Sequence, residues 1–335
     1  MRMVLCLAAI LAVPCGIGAQ ELIWPTPRPA LHEGRPHADY IQPTESGTVE
    51  SGMFGCTRTS GRQFHEGLDL KALNRDRRGE ATDPVVAVAP GVVRHVNSVS
   101  GRSNYGRYVV VEHTGFSPAV ITLYAHLGSI APDIQPGAQV QAGTQLGIMG
   151  RSASTGIPRE RAHLHIEIGF WLGRGFQAWY ERQKYPSKNE HGTFNGMNVV
   201  SMDFLDFMEQ RRRGVVQDLR DYIQTLPTAA TVVVKTRAVP DFVQRYPDLV
   251  QAAPPATGIA GWRIEFTWFG LPKAWWPLDA SEAAAVQGTG NIVVFHDRAI
   301  LERYPCQSII RTRGGVVSPG PKMQDVLEII FTAAR

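Results

Sequence analysis

The stretch that decides the fold is "RAHLHIEIGF", Arg161–Phe170. It sets two histidines one residue apart in a β-like, mostly apolar run. On a strand, alternate side chains share a face, so His163 and His165 point the same way, roughly 7 Å apart at the Cα level, while Leu164 and Ile166 point into packing. Taken alone, the stretch fits two packed core histidines as well as half of a metal site. Glu167 falls on the same face and could orient a ligand from behind. A surface salt bridge is the alternative reading.

The surrounding sequence sharpens the choice. From about Gly52 to Phe170 the chain reads as short strands broken by glycine turns: "DPVVAVAPGVVRHV", "GRYVVVEHTG", "AVITLYAHLG" and "GAQVQAGTQLGIMG" precede the histidine strand. Alternation and β-branched residues at this spacing predict a compact all-β domain. Two further stretches carry chemistry. "GRQFHEGLDLKA" offers His65 and Asp69, and "LYAHLG" offers His126. Zinc takes imidazole nitrogen and carboxylate oxygen, and a catalytic zinc keeps one of its four positions for water. His65, Asp69 and one histidine of the "HLH" pair make such a three-ligand set. The other histidine and His126 would stand beside the water.

At these residues the chain resembles the lysostaphin/LytM-type zinc metallopeptidases, which are peptidoglycan endopeptidases. "FHEGLDL", "LYAHL" and "HLHIEI" match the three motifs of that family in order, and "NYGRYVVVEHTG" and "VQAGTQLGIMGRSASTG" resemble the segments between them. The resemblance covers residues 50 to 170. It implies an antiparallel β fold with a groove, zinc on His65, Asp69 and His165, and catalytic roles for His126 and His163, without fixing which of the two is the base. It implies a zinc-bound water attacking the scissile carbonyl of peptidoglycan cross-links or stem peptides. Two departures stand out. "IPRERA" makes the link before "HLH" longer and more charged, at the expected edge of the cleft. Cys56 stands in the "FGCTRTSG" run, where the family usually has another residue. Neither removes a ligand. A catalytically silent or latent module that binds cell wall or regulates another hydrolase is the alternative function. The half-repeats "VVAVAPGVVRHV" and "VQAGTQLGIMG" also look like a biotinyl- or lipoyl-type carrier, but there is no lysine from Val85 to Gly150 to carry the group.

Bulk properties bound the rest. The 335 residues, 44% hydrophobic and 19% charged, are enough for a full core and two domains. A formal charge of +4 does not argue for nucleic acid. "MRMVLCLAAILAVPCGIGAQ" reads as a signal peptide, residues 1–19. Its apolar run is too short for a stable membrane span, and Pro14 before Cys15 fits lipoprotein processing poorly. The mature chain is therefore expected to be exported, periplasmic or extracellular, without membrane insertion, and a monomer. Cys56 and Cys306 then remain in an oxidising compartment, where an even pair suggests a disulfide; two unpaired thiols are the alternative.

The expected organisation is an irregular lead-in over 20–50, a zinc metallopeptidase domain with an aromatic loop extension over 51–200, and a helix with a smaller α/β or α+β domain over 201–335. "SMDFLDFMEQRRRGVVQDLRDYIQTL" is read as one helix with a stripe from Phe204 through Val215 to Ile223. "TVVVKT", "WRIEFTWF" and "NIVVFH" are strand candidates. "PDFVQRYPDLVQ", "DASEAAAV" and "KMQDVLEIIFTAA" are helix candidates. The aromatics after Phe170 are expected to seal a domain interface or to line a glycan or peptide groove. His32, His37, His95, His113, His191 and His296 match no motif and are expected to be surface or structural.

Overall fold

The computed structural model describes residues 22–27, 31 and 33–333. The signal-peptide segment, Cys6, Cys15 and His32 lie outside the described residues. In chain order the first strands are β1 (Gly55–Arg58), β2 (Gln63–His65), β3 (Leu68–Lys71), β4 (Pro84–Val86), β5 (Gly91–Asn97), β6 (Arg107–His113), β7 (Val120–Leu127), β8 (Ser129–Ile130), β9 (Gln139–Val140), β10 (Gln145–Ile148), β11 (His163–Trp171) and β12 (Val199–Met202). The main sheet is antiparallel with order β12-β11-β7-β6-β5-β9, and β3 also pairs with β11. β4, β10 and β8 form a small second sheet.

β11 is buried along its whole length, because it lies inside the sheet and both faces of the sheet are covered. Leu164, Ile166, Ile168 and Phe170 enter the large core, together with Leu68, Leu70, Val109, Val111 and Tyr124. The opposite face carries Tyr108, Val110, Ile121, Leu123 and Ala125, which pack with Trp171 and Val199 in a smaller core. Tyr105 and Phe194 cover that core from outside. The face that bears the histidines is thus closed at one end and open at the other.

The lead-in carries a short helix, His37–Tyr40, and is well anchored. Leu22, Trp24, Tyr40 and Ile41 are buried in the large core. Ile41 bridges Leu70 on the outer edge of β3, and the Gln42 N–H donates to the Asp69 carbonyl at 2.8 Å. Residues 171–200, expected as a loop, contain the helix Phe176–Gln183 and end in β12. Phe176, Trp179 and Tyr180 are buried on one helix face, so most of the aromatic extension is packing. The helix expected over residues 201–226 is two helices, Phe204–Arg212 and Leu219–Thr225. Gly214 breaks it at φ +72°, a conformation that glycine adopts without cost, and Val215 leaves the apolar stripe to stand 62% exposed. Asp203 and Asp218 each accept an N-cap hydrogen bond, which marks the two starts.

The C-terminal region is mixed α/β. β13 (Ala230–Val234), β14 (Gly261–Phe266), β15 (Pro272–Leu278) and β16 (Asn291–His296) form an antiparallel sheet of order β15-β14-β13-β16. A hairpin of β17 (Ile310–Arg313) and β18 (Val316–Pro319) precedes the helix Pro321–Phe331. β15 and the hairpin escape the sequence reading, because proline at both ends of "PKAWWPL" and glycines in "RGGVV" read as breaks. The helix candidate "PDFVQRYPDLVQ" is a helix of five residues, Asp241–Arg245, followed by a 3-10 turn. This region packs on the β domain. Arg245 lies 3.4 Å above the Trp171 ring and donates to the Trp171 and Leu172 carbonyls, and Trp179 Nε1–H donates to Glu328.

Cys56 and Cys306 are joined in a disulfide spanning 250 residues of sequence. It ties β1 to the C-terminal region beside the Trp268–Tyr304 stack. Reducing this bond, or the double replacement Cys56→Ala/Cys306→Ala, is expected to lower stability by about 2–5 kcal/mol. Guanidinium unfolding of the oxidised and reduced chain checks it, and coincident transitions would remove the bond from the stability of the fold.

Candidate metal centre and groove

The site is built by strand register. In β11, His165 pairs with Asp69 of β3 on one side and with Ala125 of β7 on the other. His65 ends β2, and Gly67 lets the chain turn into β3 hard against β11. A Cβ at Gly67 would lie 2.4 Å from the Ile166 carbonyl oxygen and 2.9 Å from His165 Cε1, so a side chain there would force the two strands apart. His126 lies at the end of β7 with φ +59°, in the left-handed region that non-glycine residues seldom occupy. Its N–H donates to the Tyr105 carbonyl at 2.9 Å. Such a backbone is retained where its surroundings hold it, and it aims the His126 ring across the groove at His163, 4.7 Å between centroids.

Three ligand-type atoms converge. His65 Nε2, Asp69 Oδ1 and His165 Nδ1 lie 2.9–3.2 Å apart: 3.1 Å between the two nitrogens, 2.9 Å from Asp69 to His165 and 3.2 Å from Asp69 to His65. All three residues are buried and form one cluster able to hold a metal ion. Hydrogen bonding fixes where the lone pairs point. A carbonyl can only accept, so His65 Nδ1–H donates to the Met53 carbonyl at 2.8 Å and Nε2 is left with its lone pair. His165 Nε2–H donates to Glu167 at 3.0 Å, which frees Nδ1. Asp69 Oδ2 accepts from Arg58 at 2.7 Å, leaving Oδ1 to the cluster. Two imidazole lone pairs and a carboxylate oxygen thus face one point.

Electrostatics agree. Burial acts to raise the Asp69 carboxyl, but the His65 and His163 charges and the His165 and His65 hydrogen bonds hold it well below its usual range. Burial likewise disfavours charge on His165, yet its hydrogen bonds with Asp69 and Glu167 outweigh that and raise it to about 10. The two carboxylates, Asp69 and Glu167, thus favour a positive charge at His165. His126 and His163 behave oppositely. Burial, with the His163 and His165 charges, holds His126 well below the usual imidazole range, and burial likewise lowers His163.

Asp69, His126, His163 and His165 line one groove of about 550 Å3, and His65 is buried behind it in the cluster with Asp69 and His165. Glu167 is buried, so it is not a surface ion pair. It accepts from His165, from Tyr105 Oη–H at 2.6 Å and from Ser201 Oγ–H of β12. Tyr105, Ser201 and Arg58 escaped the sequence reading. Their contacts cross 62, 34 and 11 residues respectively, and although each lies in a stretch quoted above, nothing in its local pattern marks it. Among the remaining histidines, His113 is a satisfied core histidine between Pro90 and Thr122, and His37 pairs with Glu209. His191, expected to be surface or structural, bonds Tyr108 and lines the groove.

Residues 63–175 match the model of Peptidase family M23. Among solved structures, the chain is similar to a zinc-containing peptidase from Vibrio cholerae (22% identity, 45% of this chain and 37% of that one, TM-score 0.30). It is similar to the catalytic domain of the antimicrobial peptidase lysostaphin from Staphylococcus simulans (19% identity, 47% and 87%, TM-score 0.29) and to Helicobacter pylori Csd3 (18% identity, 63% and 46%, TM-score 0.28). The chain thus spans well under half the length of the Vibrio cholerae protein. No curated protein matches. The match to Peptidase family M23 thus falls on the segment that holds the groove, about a third of the chain.

Proposed function

We propose that this chain is an exported zinc metalloendopeptidase that hydrolyses peptide bonds in bacterial peptidoglycan. The observation that carries the reading is the convergence of His65 Nε2, Asp69 Oδ1 and His165 Nδ1 on one buried point at the floor of an open groove. Ligand atoms around a four-coordinate zinc lie about 3.3 Å apart, given bonds of about 2.0–2.1 Å. The spacing here, 2.9–3.2 Å, fits that ion with little adjustment. Peptidoglycan enters through the family, and the Cys56–Cys306 bond supports export, since disulfides belong to oxidising compartments. No helix among the described residues is long and apolar enough to cross a membrane. In this reading residues 1–19 are a signal peptide, 51–200 are the peptidase domain, and 201–335 buttress it.

A zinc ion held by these three residues would acidify a water molecule and polarise the scissile carbonyl. The other groups in the groove are the chain's own contribution. His163 Nδ1–H donates to the Arg161 carbonyl at 2.7 Å, and His126 Nδ1–H donates to the Ser152 carbonyl at 2.9 Å. Each ring therefore presents an unprotonated Nε2, and that of His163 lies 3.6 Å from Asp69 Oδ1. A neutral imidazole there accepts a proton from the attacking water and returns it to the leaving amine. While it holds that proton, the same imidazole can donate to the developing oxyanion. Glu167 keeps Nδ1 of His165 as the donor atom by holding the proton on Nε2. A silent module would be marked by the loss of one of these five side chains, and none is lost.

Digestion of purified sacculi by the mature chain should release fragments with new amino and carboxyl ends, and a chelator should stop it. His65→Ala or Asp69→Ala should lower zinc content and activity together; full zinc with full activity in either would refute the ligand set. His126→Ala should keep the metal and lose turnover by about a hundredfold or more, the usual weight of general acid–base catalysis. Glu167→Gln should weaken zinc binding by about 10–100-fold, read by competition with a chromophoric chelator. Unchanged affinity would make Glu167 a packing residue only.

A further inference from the structure

The charged segment before "HLH" places Arg161 in the wall of the groove, beside the centre. A second arginine of the groove, Arg58, is committed, to Asp69 Oδ2 and the Ser51 carbonyl. Arg161 is not. Of its five N–H donors, Nη1 bonds Glu45 Oε1 at 2.9 Å, and Nε is buried with no partner. Glu45 belongs to the lead-in, and its side chain is 86% exposed. An ion pair with so exposed a partner is held weakly. The Arg161 backbone is fixed meanwhile, because its carbonyl accepts from His163 Nδ1 at 2.7 Å. A half-used guanidinium fork, mounted next to a groove histidine and touched by one loosely held carboxylate, is a carboxylate receptor with a stand-in.

We propose that Arg161 binds a free carboxylate of the substrate within a residue or two of the scissile bond, and that Glu45 occupies this receptor until the substrate displaces it. The inference rests on the peptidase reading of the groove and narrows its substrate class. It favours anionic peptides, with a free terminal or side-chain carboxylate, over uncharged bridges. The segment that carries Arg161 is then a specificity element.

The test uses the full mature chain with zinc and cross-linked stem-peptide dimers released from sacculi. They are supplied with carboxylates free, with the terminal ones amidated, or with the side-chain ones amidated. Wild type should cleave the free form with a kcat/KM about tenfold or more above one amidated form, the scale of a charge-assisted hydrogen bond. That form names the source of the carboxylate. Arg161→Gln should erase the ratio, Arg161→Lys should restore part of it, and Glu45→Gln should lower KM for the free form alone. Calorimetric binding of the three peptides, measured on the same proteins with and without zinc, gives a readout independent of turnover. Equal cleavage of all three forms by wild type, or a ratio that survives Arg161→Gln, would overturn the inference and leave the peptidase standing. Carboxylate-dependent binding without cleavage would do the reverse. Should Arg161→Gln fail to fold, an unchanged KM in Glu45→Gln would sink the proposal by itself.

Discussion

The antiparallel pairing of β11 with β3 on one side and β7 on the other is the constraint on which the site depends. It sets His165 opposite Asp69 and Ala125. A strand's side chains alternate, so a slip of one residue would exchange His163, His165 and Glu167 for Leu164, Ile166 and Ile168. The apolar set would face the groove and three ionisable groups would face the large core. Burial of the apolar face therefore fixes the position of the polar one. The register that satisfies packing is also the register that assembles the centre.

Around that strand, the polar groups are held by fixed partners. Met53, Ser152 and Arg161 each offer a backbone carbonyl to an imidazole, and each thereby sets a tautomer. Ser201 and Tyr105 do the same for the orientation of Glu167. A buried charge is costly unless paired and hydrogen-bonded, and the Arg58–Asp69–His165–Glu167 chain meets that condition at every link. Fold stability and site geometry are not separate here. β1 supplies Arg58, and the same strand is stapled through Cys56 to the C-terminal region.

The fold of the β domain and the five central residues were legible because each lies in a short alternating strand whose period exposes the face. His65, Asp69, His126, His163 and His165 stand out by residue type and local spacing, and the family resemblance divides them into ligands and catalytic groups. Arg58, Tyr105 and Ser201 act through contacts made by sheet pairing and loop packing, and no local period reports such contacts. Beyond Phe170 the reading weakened for a different reason. "FQAWYERQ" carries aromatics of modest helix propensity, yet Phe176, Trp179 and Tyr180 recur at helical spacing and are buried. The break at Gly214 was masked by apolar residues that continued the helical period on both sides of it. β15 was hidden by its prolines, which sit at the two ends of a strand on the sheet's edge.

The disulfide has a topological consequence as well. It closes a covalent ring from residue 56 to residue 306, and β2 through β16 all lie within it. A single proteolytic cut in an exposed loop inside that ring, such as the turn at Gly214, would leave two fragments that stay joined as one molecule. The groove wall carrying Arg58 and the sheet behind it would remain tethered after nicking. Such tolerance of cleavage is a form of durability that packing alone does not provide.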